Sequence, residues 1–155
     1  MSMDFDAKLD ELFLDLPEPV TIKNGCVHAL ALGKLLYVGG QLPFADGRLV
    51  AKGRVGFEVK LDTAKLAMRT ACIHALAVIA AQSNGTLNQV KRIVRVEGFL
   101  ATGGDFADHD KVMSGASELL TAVFGKFGVA TCVVTGVASL PQNAPVMISM
   151  IVEMK

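Results

Sequence analysis

The sequence predicts an α+β fold, a mixed sheet with two helices packed on one of its faces. Three observations carry this. Two stretches have apolar residues at helical spacing, at about 62–82 and 108–127. Five or so β-rich runs lie before, between and after them. Their order is a short helix, strands, helix, strand, helix and two strands, which makes two layers around one core.

At Phe5–Leu16, the apolar residues Leu9, Leu12, Phe13 and Leu16 alternate with acids. A short amphipathic helix is expected there, ended by Pro17 and Pro19. Val27–Leu32 and Leu35–Val38 are apolar runs separated by Gly33-Lys34, which predicts a hairpin. Gly39-Gly40-Gln41-Leu42-Pro43 is expected to break the second strand, and Asp46-Gly47 to make a turn. From Asp62 to Gln82, Ala64, Met68, Ala71, Ala75, Leu76 and Ile79 form one stripe. Its alanines allow close packing on a sheet, and Asn84-Gly85 suits the helix end. Val90–Ala101 is the next strand. A second helix runs from about Asp108, the expected N-cap, to Phe127, with Val112, Ala116, Leu119, Leu120 and Val123 buried. Ala130–Ser139 and Val146–Met154 follow, bracketing Pro141 and Pro145. Both strands are apolar at most positions, so both of their faces should be covered.

The 155 residues are expected to form a single domain over 1–155, with an N-terminal helical extension at about 4–16. Apolar residues make up 52% and the mean hydropathy is +0.46. No uninterrupted apolar run reaches the roughly 18 residues of a membrane span, so the apolar excess points to surface buried between subunits. Fifteen basic and fifteen acidic residues balance, which is not the charge pattern of a nucleic-acid binder. Lys91, Arg92 and Arg95, with Glu97 beside them, read as a solvated strand face. No signal peptide is evident at Met1–Asp6. Cys26, Cys72 and Cys132 are odd in number and widely spaced, so a reduced, cytoplasmic setting is expected.

Several strings carry a resemblance over most of the chain, from about Val20 onward. They are Leu32-Gly33-Lys34-Leu35-Leu36-Tyr37-Val38-Gly39-Gly40-Gln41-Leu42-Pro43, Val90–Val96, and Gly136-Val137-Ala138-Ser139-Leu140-Pro141 followed by Ala144-Pro145-Val146. In order and spacing they resemble the reactive intermediate/imine deaminase family, Rid or YjgF, long labelled endoribonuclease L-PSP. The N-terminal helix and the Ala-Ser-Leu-Pro block look like a longer-chain branch of it. The resemblance implies a chorismate-mutase-like fold and a homotrimer whose sheets form a central barrel, with small-molecule clefts between subunits. Active members hydrolyse enamines and imines such as 2-aminoacrylate to 2-oxo acids and ammonia. An arginine fork grips the substrate carboxylate there, and a glutamate handles water.

Carried across residue by residue, the family arginine falls on Cys132 and the glutamate on Met147. The cleft tyrosine falls on Cys26, a serine on Gly39 and the helix asparagine on Ser114, while Gly40 and Gln41 match. A thiol has no guanidinium fork and a thioether shuttles no proton. The resemblance therefore implies a trimer that binds a small, less acidic metabolite in these clefts without deaminase activity. An enamine/imine deaminase or an L-PSP-type endoribonuclease is the alternative. No cofactor or membrane partner is expected, and nucleic acid is not an expected partner.

Other groupings have plainer readings. Cys26 and Cys132 form either a thiol-lined pocket or small apolar filler. Cys26-x-His28 and Cys72-x-His74 lack the three or four convergent ligands of a zinc site, so no metal is expected. Asp105, Asp108, His109 and Asp110 read as helix capping with favourable charge at a helix start rather than an acid–base site.

Overall fold

The computed structural model describes residues 3–155. Its elements are α1 (Phe5–Glu11), β1 (Ala29–Leu32), β2 (Leu35–Gln41), β3 (Phe44–Ala45), β4 (Arg48–Leu49), α2 (Leu61–Ala81), β5 (Val90–Ala101), α3 (His109–Phe124), β6 (Thr131–Val137) and β7 (Val146–Met154). Five strands form one mixed sheet in the order β1-β2-β7-β5-β6, and β3 and β4 form a separate small hairpin. Only β5 and β6 run parallel, joined by α3 as a crossover.

The expected core stripes are buried. In α2 these are Ala64, Met68, Ala71, Ala75, Leu76 and Ile79, and in α3 they are Val112, Ala116, Leu119, Leu120 and Val123. Both helices lie on the sheet face that carries Leu36, Val38, Val96, Leu100, Val146, Ile148, Met150 and Val152. Small residues set how closely the layers approach. A Cβ on Gly115 of α3 would stand 2.1 Å from the Lys65 carbonyl oxygen of α2, so the two backbones nearly touch. By length and composition α2 is long and apolar enough to cross a membrane, but 67% of its apolar window is buried inside this protein.

Four local expectations need correction. Helix α1 stops at Glu11, not Leu16. Phe13 takes a left-handed φ of 54°, while the amides of Phe13 and Leu14 donate to the carbonyls of Asp10 and Leu9. That is a Schellman stop, reached before either proline. It turns Phe13, expected on the buried stripe, outward to 95% exposure. Strand β2 is not broken at Gly39 but runs to Gln41 through a bulge. Asp108 does flank the start of α3, but its side chain does not cap the helix; it pairs with Lys111 at 3.4 Å. Helix α3 ends at Phe124, and Gly125–Gly128 tightens into a 3-10 turn.

The expected cover on both faces of β6 and β7 is not supplied by the chain itself. The face away from the helices carries Leu30, Tyr37, Ile151, Arg95 and Thr131 in one register row. Leu30 and Leu32 are 67% and 68% exposed, and most of β6 is open. An Arg95–Glu97 ion pair at 2.8 Å lies on this face, so Arg95 is occupied by its neighbour, as the charge pattern suggested.

Candidate functional site

The hairpin β1–β2 builds one cluster of the expected site residues. Gly33 at φ 61° closes a two-residue turn, which pairs Leu32 with Leu35 and Ala29 with Val38. The same register brings His28 opposite Gly39, whose amide donates to the His28 carbonyl at 2.8 Å. Next, Val38 pairs with Met150 and Gln41 with Ile148, so Gly39 and Gly40 together oppose Ser149 alone. This is a β-bulge, which redirects the side chains on either side of it. At Gly40 a Cβ would lie 2.7 Å from Met147 Sδ, so Met147 lies across the glycine.

Beyond the bulge, Gln41 turns inward and is only 4% exposed. Its Nε2 donates to the Gly39 carbonyl at 3.2 Å and meets His28 Nδ1 at 3.2 Å. His28 Nε2 bonds to the Val20 carbonyl. A carbonyl only accepts, so Nε2 carries the proton, and Nδ1, facing the Gln41 amide that also donates to Gly39, is the acceptor. The spacing with Cys26 pointed to His28 only as half of a metal motif. The hairpin turn fixes only that His28 faces Gly39; the bulge that brings Gln41 to His28 was not legible in the sequence. Cys26 is exposed in the segment before β1, its amide bonded to Asn24 Oδ1 at 3.1 Å.

Cys132 and Ser114 do not join this cluster within one chain. Ser114 Oγ donates to the Lys111 carbonyl of its own helix at 2.6 Å. Cys132 lies on β6, the sheet edge opposite β1, with its Sγ 3.7 Å from the Ala130 carbonyl. It is in register with Val96, a helix-side position, whereas Met147 is in register with Phe99 on the other face. Three strand spacings, roughly 14 Å, separate β6 from β2. Burial pushes the Cys132 thiol up, and no charge acts to bring it down. At neutral pH it is a neutral thiol.

The remaining groupings hold no site among the described residues. Cys72 is fully buried and its thiol is pushed up to about 12 by desolvation. His74 Nε2 lies 2.8 Å from the Phe44 carbonyl, and Nδ1 is buried without a partner. The His109 ring stands edge-on to Phe106 at 5.1 Å, over Gly136, where a Cβ would come within 2.9 Å of Nε2. No three His, Cys, Asp or Glu side chains converge as metal ligands among the described residues.

Residues 6–154 match the family described as "YjgF/chorismate mutase-like, putative endoribonuclease". The chain belongs to that family. Among relatives, Protein TCP17 of Trypanosoma cruzi is 30% identical over 149 residues, 96% of this chain and 92% of that one. The crystal structure of Atu1372 from Agrobacterium tumefaciens, a protein of unknown function, superposes with a TM-score of 0.91. It is 35% identical and covers 97% of this chain and 92% of its own. A "putative endoribonuclease" from Shewanella oneidensis superposes with a TM-score of 0.93 at 27% identity, over 98% and 100% of the two chains. The expected family and α+β fold are thus those of this chain.

Proposed function

We propose that the protein is a YjgF-family homotrimer that binds a small metabolite in clefts between subunits and does not deaminate enamines or imines. The carrying observation is the chemistry at the positions matched to the family's arginine and glutamate. Cys132 there is an uncharged thiol without a cation acting on it, and Met147 lies across Gly40. Neither grips a carboxylate nor transfers a proton, and such elements contribute ~10²–10⁴ each to rate.

Assembly between copies is supported by two features. Among the residues matched to the cleft, Gly39, Gly40 and Gln41 lie at the β1–β2 side of the sheet and Cys132 on the opposite edge, β6, so a neighbour's β6 edge is what brings them together. The uncovered face is also rich in exposed apolar side chains. Light scattering should give three times the 16.4 kDa protomer mass; a monomer removes the clefts and refutes the reading. A coupled assay with enzymatically generated iminopyruvate should show turnover no faster than buffer, and turnover like that of an arginine-bearing relative refutes it.

The family description favours endoribonuclease action as a second reading. Zero net charge and a His28 held between Val20 and Gln41 speak against it. Cleavage of a single-stranded RNA that disappears in a His28→Ala variant would establish it.

A further inference from the structure

We infer that Gln41 presents a fixed hydrogen-bond acceptor, its Oε1, and that this selects a neutral ligand donating an N–H or O–H, such as a primary amide or an alcohol, over a carboxylate. His28 is the positioning residue that sets this polarity. The inference rests on the intersubunit cleft being a ligand site, as proposed above, and names the ligand chemistry for it.

Two backbone carbonyls fix the whole arrangement. Val20 can only accept, so the His28 Nε2 beside it must carry the proton. A proton on Nε2 leaves Nδ1 to offer a lone pair, and the Gln41 atom 3.2 Å away is then its donor. Gly39 O, also 3.2 Å from that atom, can only accept and demands the same. Both amide hydrogens of Gln41 are therefore committed, and the carboxamide cannot turn over without placing its oxygen against two acceptors. Oε1 accepts from no donor among the described residues. It is not sealed in the interior, where His74 Nδ1 is the unpartnered atom among those residues. A site that already holds one free acceptor rejects a second. A carboxylate leaves Oε1 unpaired and adds a repelling charge, whereas an N–H or O–H satisfies it. The thiol at Cys132 and the thioether at Met147 supply no positive charge to reverse this preference.

The test uses the full-length, assembled, ¹⁵N-labelled protein with three probes of equal size: propionamide, propionate and methyl propionate. Long-range ¹H–¹⁵N spectra should show His28 in the Nε2–H tautomer. Propionamide should shift the Gly39, Gly40 and Gln41 side-chain signals with a Kd at least roughly tenfold below that of propionate or the ester. His28→Phe removes the acceptor that holds Gln41 and should bring propionamide and propionate to within about threefold of each other. A structural filler would leave the ratio unchanged, which overturns the positioning role. An Nδ1–H tautomer in the parent protein overturns the inference without any variant. Propionate binding more tightly than propionamide overturns the inference while leaving the cleft as a ligand site. If no probe shifts these signals, both the inference and the binding reading fall.

Discussion

Gly115→Ala tests the closest contact in the fold. The added methyl carbon would sit 2.1 Å from the Lys65 carbonyl oxygen and 3.1 Å from its carbon, both backbone atoms that no rotamer can move. Ordinary contact begins near 3.4 Å, so α3 must withdraw from α2 by roughly 1.3 Å. A gap of 0.5–1 Å already forfeits about a quarter to a half of each pair's dispersion well. Val112, Ala116 and Leu119 lie in the core around this crossing and are fully buried. Overpacking of this kind costs about 1–3 kcal/mol, and a rigid backbone clash belongs at the top of that range. Alanine returns about 1 kcal/mol of helix propensity. The net loss is about 2 kcal/mol, a fall in Tm of roughly 4–8 °C for a chain of this size. Thermal unfolding followed by circular dichroism, with Ser114→Ala as a neighbouring control, measures it. A Gly115→Ala protein that melts at or above the parent temperature would mean that helix propensity wins and that the α2–α3 approach is not set by this glycine.

Further outcomes are expected. Gly40→Ala pushes against Met147 and should cost about 1–3 kcal/mol, whereas Gly40→Ala combined with Met147→Ala should recover much of it; additive losses in urea unfolding would break the assigned contact. The N-terminus of α1 is held by Asn88, whose Oδ1 accepts from the Phe5 amide at 2.7 Å, so Asn88→Ala should destabilise by about 1–2 kcal/mol in urea. Asp4 has its carboxyl held below its ordinary 3.8 by the Ala7 amide and then by Asn88. Its contribution is therefore present above pH 3.8 and lost as pH falls through the lower folded value, which hydrogen exchange at Ala7 should follow. Cys132 should alkylate more slowly than free cysteine at pH 7 and accelerate beyond pH 9, because burial raises its thiol; fast labelling at neutral pH would reveal a cation near it. Cys72, sealed in α2, should label only on unfolding.

The amino-acid pattern by itself determined the element order, the buried stripes of α2 and α3, the exact limits of β5 and β7, and the β1–β2 hairpin. These rest on local rules: helical spacing, β-branched runs and a glycine turn. The strings around Gly33–Pro43 and Gly136–Val146 were also enough to reach the family. Tertiary structure decided what depends on partners distant in sequence. Phe13 has the spacing of a buried residue, but a Schellman turn throws it outward before the prolines are reached. Gly39-Gly40 has the composition of a strand break, yet pairing with β7 makes it a bulge, because Val38 and Gln41 on either side stay in register with Met150 and Ile148. The family resemblance placed Cys132 and Met147 in one site, and the sheet register shows that a single chain holds them on opposite faces. Gln41 was matched by position, but its polarity comes from two carbonyls, at Val20 and Gly39. Spacing in a sequence says which side chains share an element. Which way a hydrogen bond runs is set by the atoms that the fold brings against it.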